Sequence, residues 1–254
     1  MEVLTDFRLE YSKADDIKPC LSVIIVAAGS ATRMGGSKQL IPILGIPVIG
    51  RTIMAFDRCL LVKDIIVVAR EDEMCDIQKI VDRYEISKVT EIIIGGSTRF
   101  MSVQKGLERC GKSAGYIAVH DGARPLVTDR VISETTLLAT ARGAAAPAVK
   151  VKDTIKRADS EGRVLNTPQR ENLFAVQTPQ IFKADIIKNS YDKAVEQIGL
   201  NPDTVCPFTD DCSVVEWAKG EVFLSNGSYD NIKITTAGDV EAAETILKRR
   251  MTGC

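Results

Sequence analysis

The residues best suited to chemistry collect first between Val23 and Gln39, in the run VIIVAAGSATRMGGSKQ. An apolar segment, residues 22–27, breaks there into a loop of small residues carrying Gly29, Arg33, Gly35, Gly36 and Lys38. Ala27, Ala28 and Gly29 let the backbone approach a ligand closely, and their N–H groups can point at phosphate oxygens. Arg33 and Lys38 add positive charge where a polyphosphate would lie. Two familiar phosphate motifs fail here. A dinucleotide fingerprint needs glycine at Ala31, and a P-loop needs Gly-Lys-Ser/Thr where the chain has Gly36-Ser37-Lys38-Gln39.

Further along, the same kinds of residue recur after apolar runs. They are Gly95-Gly96-Ser97 with Ser102, then His120-Asp121-Gly122-Ala123-Arg124-Pro125, then Lys152-Asp153-Thr154, and Asp230-Asn231-Ile232-Lys233. Hydroxyls, small residues, one carboxylate and several cations are what a nucleotide and a second phosphate require. Asp121 reads either as a turn or cap residue or as a hard oxygen ligand for Mg²⁺. Gly95-Gly96 reads as a plain turn or as a close approach to a base. His120, between an apolar run and Asp121, reads as a satisfied structural histidine before it reads as a base. Lys233 sits in a β-rich run, residues 231–235, where a lysine is costly unless it faces a ligand.

The elements that must hold these residues alternate. Strand-like runs cover residues 22–27, 65–69, 91–94, 116–120, 145–151, 222–225 and 231–235. Helix-period stretches lie between them, with Met74, Ile77, Ile80, Val81 and Tyr84 on one face. Ile132, Leu137 and Leu138, and later Ile186, Ile187, Tyr191 and Val195, repeat the pattern. Strands apolar throughout suit a parallel sheet covered on both faces. The expectation is an α/β, doubly wound, mostly parallel Rossmann-like sheet whose strand ends carry the site. Residues 153–178 break the rhythm, and Asp159-Ser160-Glu161-Gly162 reads as a hairpin turn, so a β-arm projects from the core. No linker divides the chain: residues 1–20 read as a flexible N-terminal extension and residues 21–254 as one domain.

Composition narrows the class. The chain has 254 residues, of which 45% are hydrophobic and 26% charged, with a formal net charge of −1. That balance gives no global field for nucleic acid or an anionic membrane, so phosphate binding must be local. No apolar run is long enough to span a bilayer, and the polar N-terminus lacks a signal-peptide core; a cytoplasmic protein is expected. Seven scattered cysteines without a C-x-x-C pair read as free thiols in a reducing compartment.

In order and spacing, the motifs AAGSATRMGGSKQ, GGSTRFMSV, VHDGARP, VKDTIKRAD, QTPQ and DNIKIT resemble the 2-C-methyl-D-erythritol 4-phosphate cytidylyltransferase family over residues 21–249. The resemblance implies the nucleotidyltransferase type of the Rossmann-like fold. It implies transfer of CMP from CTP to methylerythritol 4-phosphate with release of pyrophosphate, Mg²⁺ as cofactor, and a homodimer formed through the arm. It assigns catalytic roles to Arg33, Lys38, Arg170 and Lys233. CTP would be held by Ala27, Ala28, Gly29, Gly95 or Gly96, Ser102, Asp121 and Gly122, with Asp121 near the metal. The sugar-alcohol phosphate would meet Arg124, Thr154, Arg170, Thr178 and Lys233. Two departures from many relatives are the single residue between Gly36 and Lys38 and Ser97 where some carry an acid. Ribitol 5-phosphate cytidylyltransferase is the nearest alternative, with the same chemistry on another sugar phosphate.

Overall fold

The computed structural model describes residues 20–29, 37–111, 114–198 and 206–252. The first strand is β1 (Leu21–Val26), followed by a small ribbon of β2 (Pro42–Ile43) and β3 (Ile46–Pro47) that leads into α1 (Val48–Asp57). Then come β4 (Val62–Ala69), α2 (Met74–Arg83), β5 (Val89–Ile94), α3 (Arg99–Arg109), β6 (Tyr116–Asp121), α4 (Asp129–Arg142) and β7 (Ala144–Lys150). The arm strands are β8 (Arg157–Ala158) and β9 (Val164–Asn166). The chain closes with β10 (Phe174–Val176), β11 (Gln180–Lys183), α5 (Ala184–Ile198), α6 (Asp211–Trp217), β12 (Phe223–Asn226) and α7 (Ala237–Thr252).

The eight-stranded sheet runs β10-β7-β11-β6-β1-β4-β5, with β12 paired to the other side of β7. β5, β4, β1 and β6 are parallel neighbours, and β12 is parallel to β7; β11 and β10 run against them. The sheet is thus α/β and mostly parallel, as the continuous apolar runs require. Alternation along each strand feeds two cores. Val23, Ile25, Ile65, Val67 and Ala118 pack with Ile53, Phe56, Ile77 and Ile132 from α1, α2 and α4. Ile24, Ile66, Val68, Ile117 and Val119 pack with Phe100, Val103, Leu107, Tyr191 and Val214 from α3, α5 and α6 on the opposite face. Local caps end these helices: the Thr98 hydroxyl accepts from Met101 N–H at 3.1 Å, and Gly143 closes α4 at φ 91°.

Three differences from the sequence expectation have physical causes. Residues 231–235 form no strand. Their period-2 pattern arises because Ile232 and Ile234 pack with Ala243 and Leu247 of α7, and a single backbone bond, Ile234 N–H to Ala123 O at 2.8 Å, ties them to the sheet's edge loop. The projecting arm is also shorter than residues 153–178, because β10 pairs antiparallel with β7 inside the main sheet and Thr178 is buried. The β8–β9 hairpin turns at residues 159–162 as its sequence indicates, with Gly162 at φ 83°. Finally, α1, α6 and α7 escape a periodicity reading: α6 is one short capped segment, and α7 buries only Ala243 along its length. Residues 1–19 of the expected N-terminal extension lie outside the described residues.

Candidate active site

Because β1, β4, β5, β6 and β7 point the same way, their carboxyl ends converge on one edge of the sheet, where ligands bind in open α/β folds. A pocket of about 310 Å³ opens there, the size for one small polar ligand. It is lined by Ala28 and Gly29 after β1, Lys38 and Gln39 beyond it, residues 96–99 and Ser102 after β5, Asp121 and Ala123 after β6, and Lys233.

Asp121 is the centre of charge. Lys233 Nζ lies 2.8 Å from its Oδ2, Arg99 Nε 3.4 Å from its Oδ1, and Arg124 Nε 3.7 Å from its Oδ2. Burial opposes ionisation of this carboxyl, but the positive charges of Arg99, Lys233 and Arg124 outweigh it and hold Asp121 well below the usual carboxylate range. The carboxylate is therefore charged at any physiological pH. Its backbone is fixed too, since Asp121 N–H donates to Thr178 Oγ1 at 3.1 Å.

Behind it, His120 is fully buried against Phe56, with ring centroids 4.7 Å apart. Its Nε2 lies 3.2 Å from Arg124 O, so Nε2 carries the proton, and Nδ1 accepts from the Thr178 hydroxyl at 3.0 Å. Burial lowers its pKa to about 3. A neutral, doubly bonded imidazole facing away from the pocket is a structural histidine, the first of the two sequence readings.

The walls are backbone and small residues for steric reasons. A Cβ on Gly95 would stand 2.3 Å from Ala28 Cβ, and one on Gly96 2.3 Å from Met101 Cβ. Ser102 accepts from Gly96 N–H at 3.0 Å and donates to Thr98 O at 2.9 Å, so its hydroxyl holds the turn that shapes this wall. Gly122 is pressed between Ile49, Ala27 and Gln39, where a Cβ would sit 3.0–3.1 Å from each. Gln39 itself is buried at the pocket with its Oε1 unpartnered.

The other residues singled out from sequence divide into groups. Lys38 and Lys233 both line the pocket. Lys233 reaches it from a loop, and its placement follows from Asp121, so the argument from a buried strand lysine does not apply. Arg33 lies outside the described residues. Arg124 and Thr178 stand behind Asp121: Arg124 Nη1 donates to Asn231 O at 2.7 Å, and its side chain is 13% exposed. Thr154 and Arg170 lie on the exposed arm, where Arg170 Nη1 donates to Lys152 O at 3.0 Å; neither lines the pocket of this chain.

Sequence reasoning missed Arg99, although it stands inside GGSTRFMSV. It forks onto Asp211 with Nη1 at 3.1 Å and Nη2 at 2.7 Å while its Nε faces Asp121. Asp211 is a distant residue buried at the start of α6, so nothing in spacing connects the two. Gln177 and Asn231 were also invisible as partners. Gln177 bonds both Ser228 O and Ser228 N–H, and Asn231 Nδ2 donates to Thr178 O at 3.0 Å, which pins the Lys233 loop beside Asp121.

Comparison with known proteins bears on family and fold. The sequence profile of the 2-C-methyl-D-erythritol 4-phosphate cytidylyltransferase family matches residues 21–249. The enzyme of that name from Alkaliphilus metalliredigens is 40% identical over 239 residues, covering 92% of this chain and 95% of the relative. That from Clostridium acetobutylicum is 43% identical over 230 residues, covering 89% and 96%. The crystal structure of 4-diphosphocytidyl-2C-methyl-D-erythritol synthase from Anaerococcus prevotii superposes with a TM-score of 0.79 at 30% identity, covering 90% of this chain and 96% of that one.

Proposed function

The chain belongs to the 2-C-methyl-D-erythritol 4-phosphate cytidylyltransferase family, and from that premise we propose how its residues carry out the reaction. The enzyme joins CTP and 2-C-methyl-D-erythritol 4-phosphate and releases pyrophosphate. A phosphate oxygen of the sugar-alcohol phosphate attacks the α-phosphorus of CTP, a new P–O–P bond forms, and the α–β bridge breaks with its electron pair leaving on pyrophosphate. No general base is required, because a phosphate monoester is largely dianionic near neutral pH. The barrier is repulsion between two anions, so fixed cations are the main catalytic resource.

One observation carries this reading: positive side chains converge on a single ionised carboxylate inside a pocket walled by glycine and alanine backbone. Lys38, which lines the pocket, faces the triphosphate and stabilises charge on the α-phosphate and the leaving group; the same role for Arg33 rests on the family resemblance alone. Lys233 turns from Asp121 to align the incoming phosphate. Ala28, Gly29 and Gly96 line the pocket and allow the nucleotide to lie against main chain, Ala27, Gly95 and Gly122 pack closely behind them, and Ser102 keeps that wall in shape. Thr178 and Arg124 act through Asp121, one on its backbone and one on its carboxylate.

The donor set also bears on Mg²⁺. Among the described residues no cluster of three acidic, histidine or cysteine side chains could hold a metal alone. One ionised carboxylate with most coordination left to phosphate oxygens and water is, however, the way Mg²⁺ sits with nucleotides. The residues fit a metal arriving with CTP and held by Asp121. When bound, it neutralises phosphate charge.

Thr154 and Arg170 serve the second substrate from the arm of a partner protomer. The arm supports that assignment by its exposure and by its apolar surface, where Ile155, Val164 and Leu165 are 40–53% exposed. A homodimer in the cytoplasm follows as part of the same proposal. Among the described residues no helix is long and apolar enough to cross a membrane. The relatives' names favour methylerythritol phosphate over ribitol 5-phosphate. Pyrophosphate release measured with CTP and each sugar phosphate tests the reading: turnover with methylerythritol phosphate is expected, and faster turnover with ribitol 5-phosphate would overturn it.

A further inference from the structure

We propose that Asp211 is a positioning residue, which holds Arg99 in the pocket so that Asp121 keeps a cationic partner when Lys233 moves to substrate. The inference rests on the function proposed above and adds to it a residue from α6, packed on the same face of the sheet as the α3 that carries Arg99.

Arg99 is built as a two-sided clamp. Its terminal nitrogens bind both oxygens of Asp211 at 3.1 and 2.7 Å, a fork-to-fork pairing, while Nε faces Asp121 at 3.4 Å. The anchor is rigid. The Asp211 side chain is fully buried, Tyr191 Oη donates to its Oδ1 at 2.7 Å, and its N–H donates to Gln180 Oε1 at 3.0 Å. Tyr191 in turn stacks on Phe100, the next residue after Arg99, with centroids 4.7 Å apart. Lys233 is held quite differently. It comes from a loop, is 40% exposed, and makes the shortest charged contact to Asp121, 2.8 Å. A lysine that aligns an incoming phosphate must give up that contact, whereas Arg99 cannot follow it. The remaining cation, Arg124, stands at 3.7 Å with its Nη1 committed to Asn231 O. Arg99 is therefore the fixed charge of the site, and Asp211 is what fixes it.

A double-mutant cycle on the full-length enzyme tests this, with kcat, KM for each substrate, CTP affinity by calorimetry and Tm measured for every variant. Arg99→Ala should lower kcat/KM by ~10²-fold, the scale for losing one preorganised charge. Asp211→Asn, nearly isosteric and still able to accept from Tyr191, should lower it by ~10-fold, mainly in kcat. In the Arg99→Ala background, Asp211→Asn should then cost less than about twofold more, since contacting residues that act as one unit are not additive. A full additive loss would mean that Asp211 acts apart from Arg99 and would overturn the proposal. Should Asp211→Asn fail to fold, Arg99→Lys decides: one ammonium cannot span both carboxylates, so a loss of about 10-fold or more is expected. Activity of Arg99→Lys within twofold of the wild type would equally overturn the proposal. If the wild type itself fails to turn over methylerythritol phosphate, the proposed function falls, and the same cycle read in CTP affinity decides the clamp: non-additive losses support it and additive losses overturn it.

Discussion

The pocket floor and the arm are opposite solutions to presenting charge. At the floor, Asp121, Arg99 and Arg124 are packed between sheet and helices, and each polar contact is tied to another. On the arm, Thr154, Arg157 and Arg170 stand exposed on a segment whose own structure is one two-stranded hairpin and a single 3-10 turn at Arg170–Asn172. A buried site can be preorganised by a single chain, because low dielectric and close packing strengthen every contact. An exposed cation on a hairpin gains little until something desolvates it. Under the proposed function, the described nucleotide-facing groups therefore come from one protomer, while the sugar-phosphate half would be completed by a second surface.

That contrast can be broken most directly at the floor. Lys38→Ala should reduce turnover by at least ~10²-fold while leaving Tm nearly unchanged, because the residue acts on charge developing in the transition state. Steady-state kinetics beside a thermal melt would check it, and an unchanged rate would remove Lys38 from the mechanism. At the arm the signature should differ. Arg170→Ala should raise KM for the sugar phosphate about 10- to 100-fold, the worth of a charged hydrogen bond of roughly 1.5–3 kcal/mol. Calorimetric CTP affinity should stay within about twofold of wild type on the same reasoning.

Much of the floor was legible from sequence because it depends on local pattern. Small residues after β1 and β5 and a carboxylate ending β6 each follow an apolar strand, and parallel strands bring their ends together without further information. Arg99 with Asp211, and Gln177 with Ser228 and Asn231, were not legible. Those pairings join residues far apart in sequence through side-chain geometry, which no periodicity reports. The strand expected at 231–235 failed for a related reason: alternation records burial against α7, not a hydrogen-bonded ladder.

Two smaller effects sharpen the comparison. Leu165→Asp, on the half-exposed arm surface, should dissociate the proposed dimer in sedimentation runs and raise KM for the sugar phosphate by ~10-fold, with CTP binding intact. A variant that stays dimeric would separate the arm from assembly. The floor, in contrast, should report itself in acid stability. Burial holds His120 near pKa 3, below the ordinary 6.5, so the unfolded chain takes up this proton first. Its contribution is whole above that ordinary value and is lost as pH falls toward the folded one, at roughly 1.4 kcal/mol per pH unit. Asp121, also depressed, adds a loss of the same sign at lower pH. Melting from pH 7 down to pH 4 should therefore show a shallower fall in His120→Gln than in wild type; equal slopes would contradict a neutral buried imidazole.

Where the arm leaves the sheet, Val151 N–H donates to Leu173 O at 3.2 Å, directly beyond the β7–β10 ladder. That bond seals the neck of the excursion, so the chain enters and exits at neighbouring points with its backbone already satisfied. Under the proposed function, residues 152–172 would then behave as a unit that can be exchanged between enzymes. Grafting the equivalent stretch from an enzyme with another sugar preference should redirect the acceptor while the nucleotide cradle survives untouched.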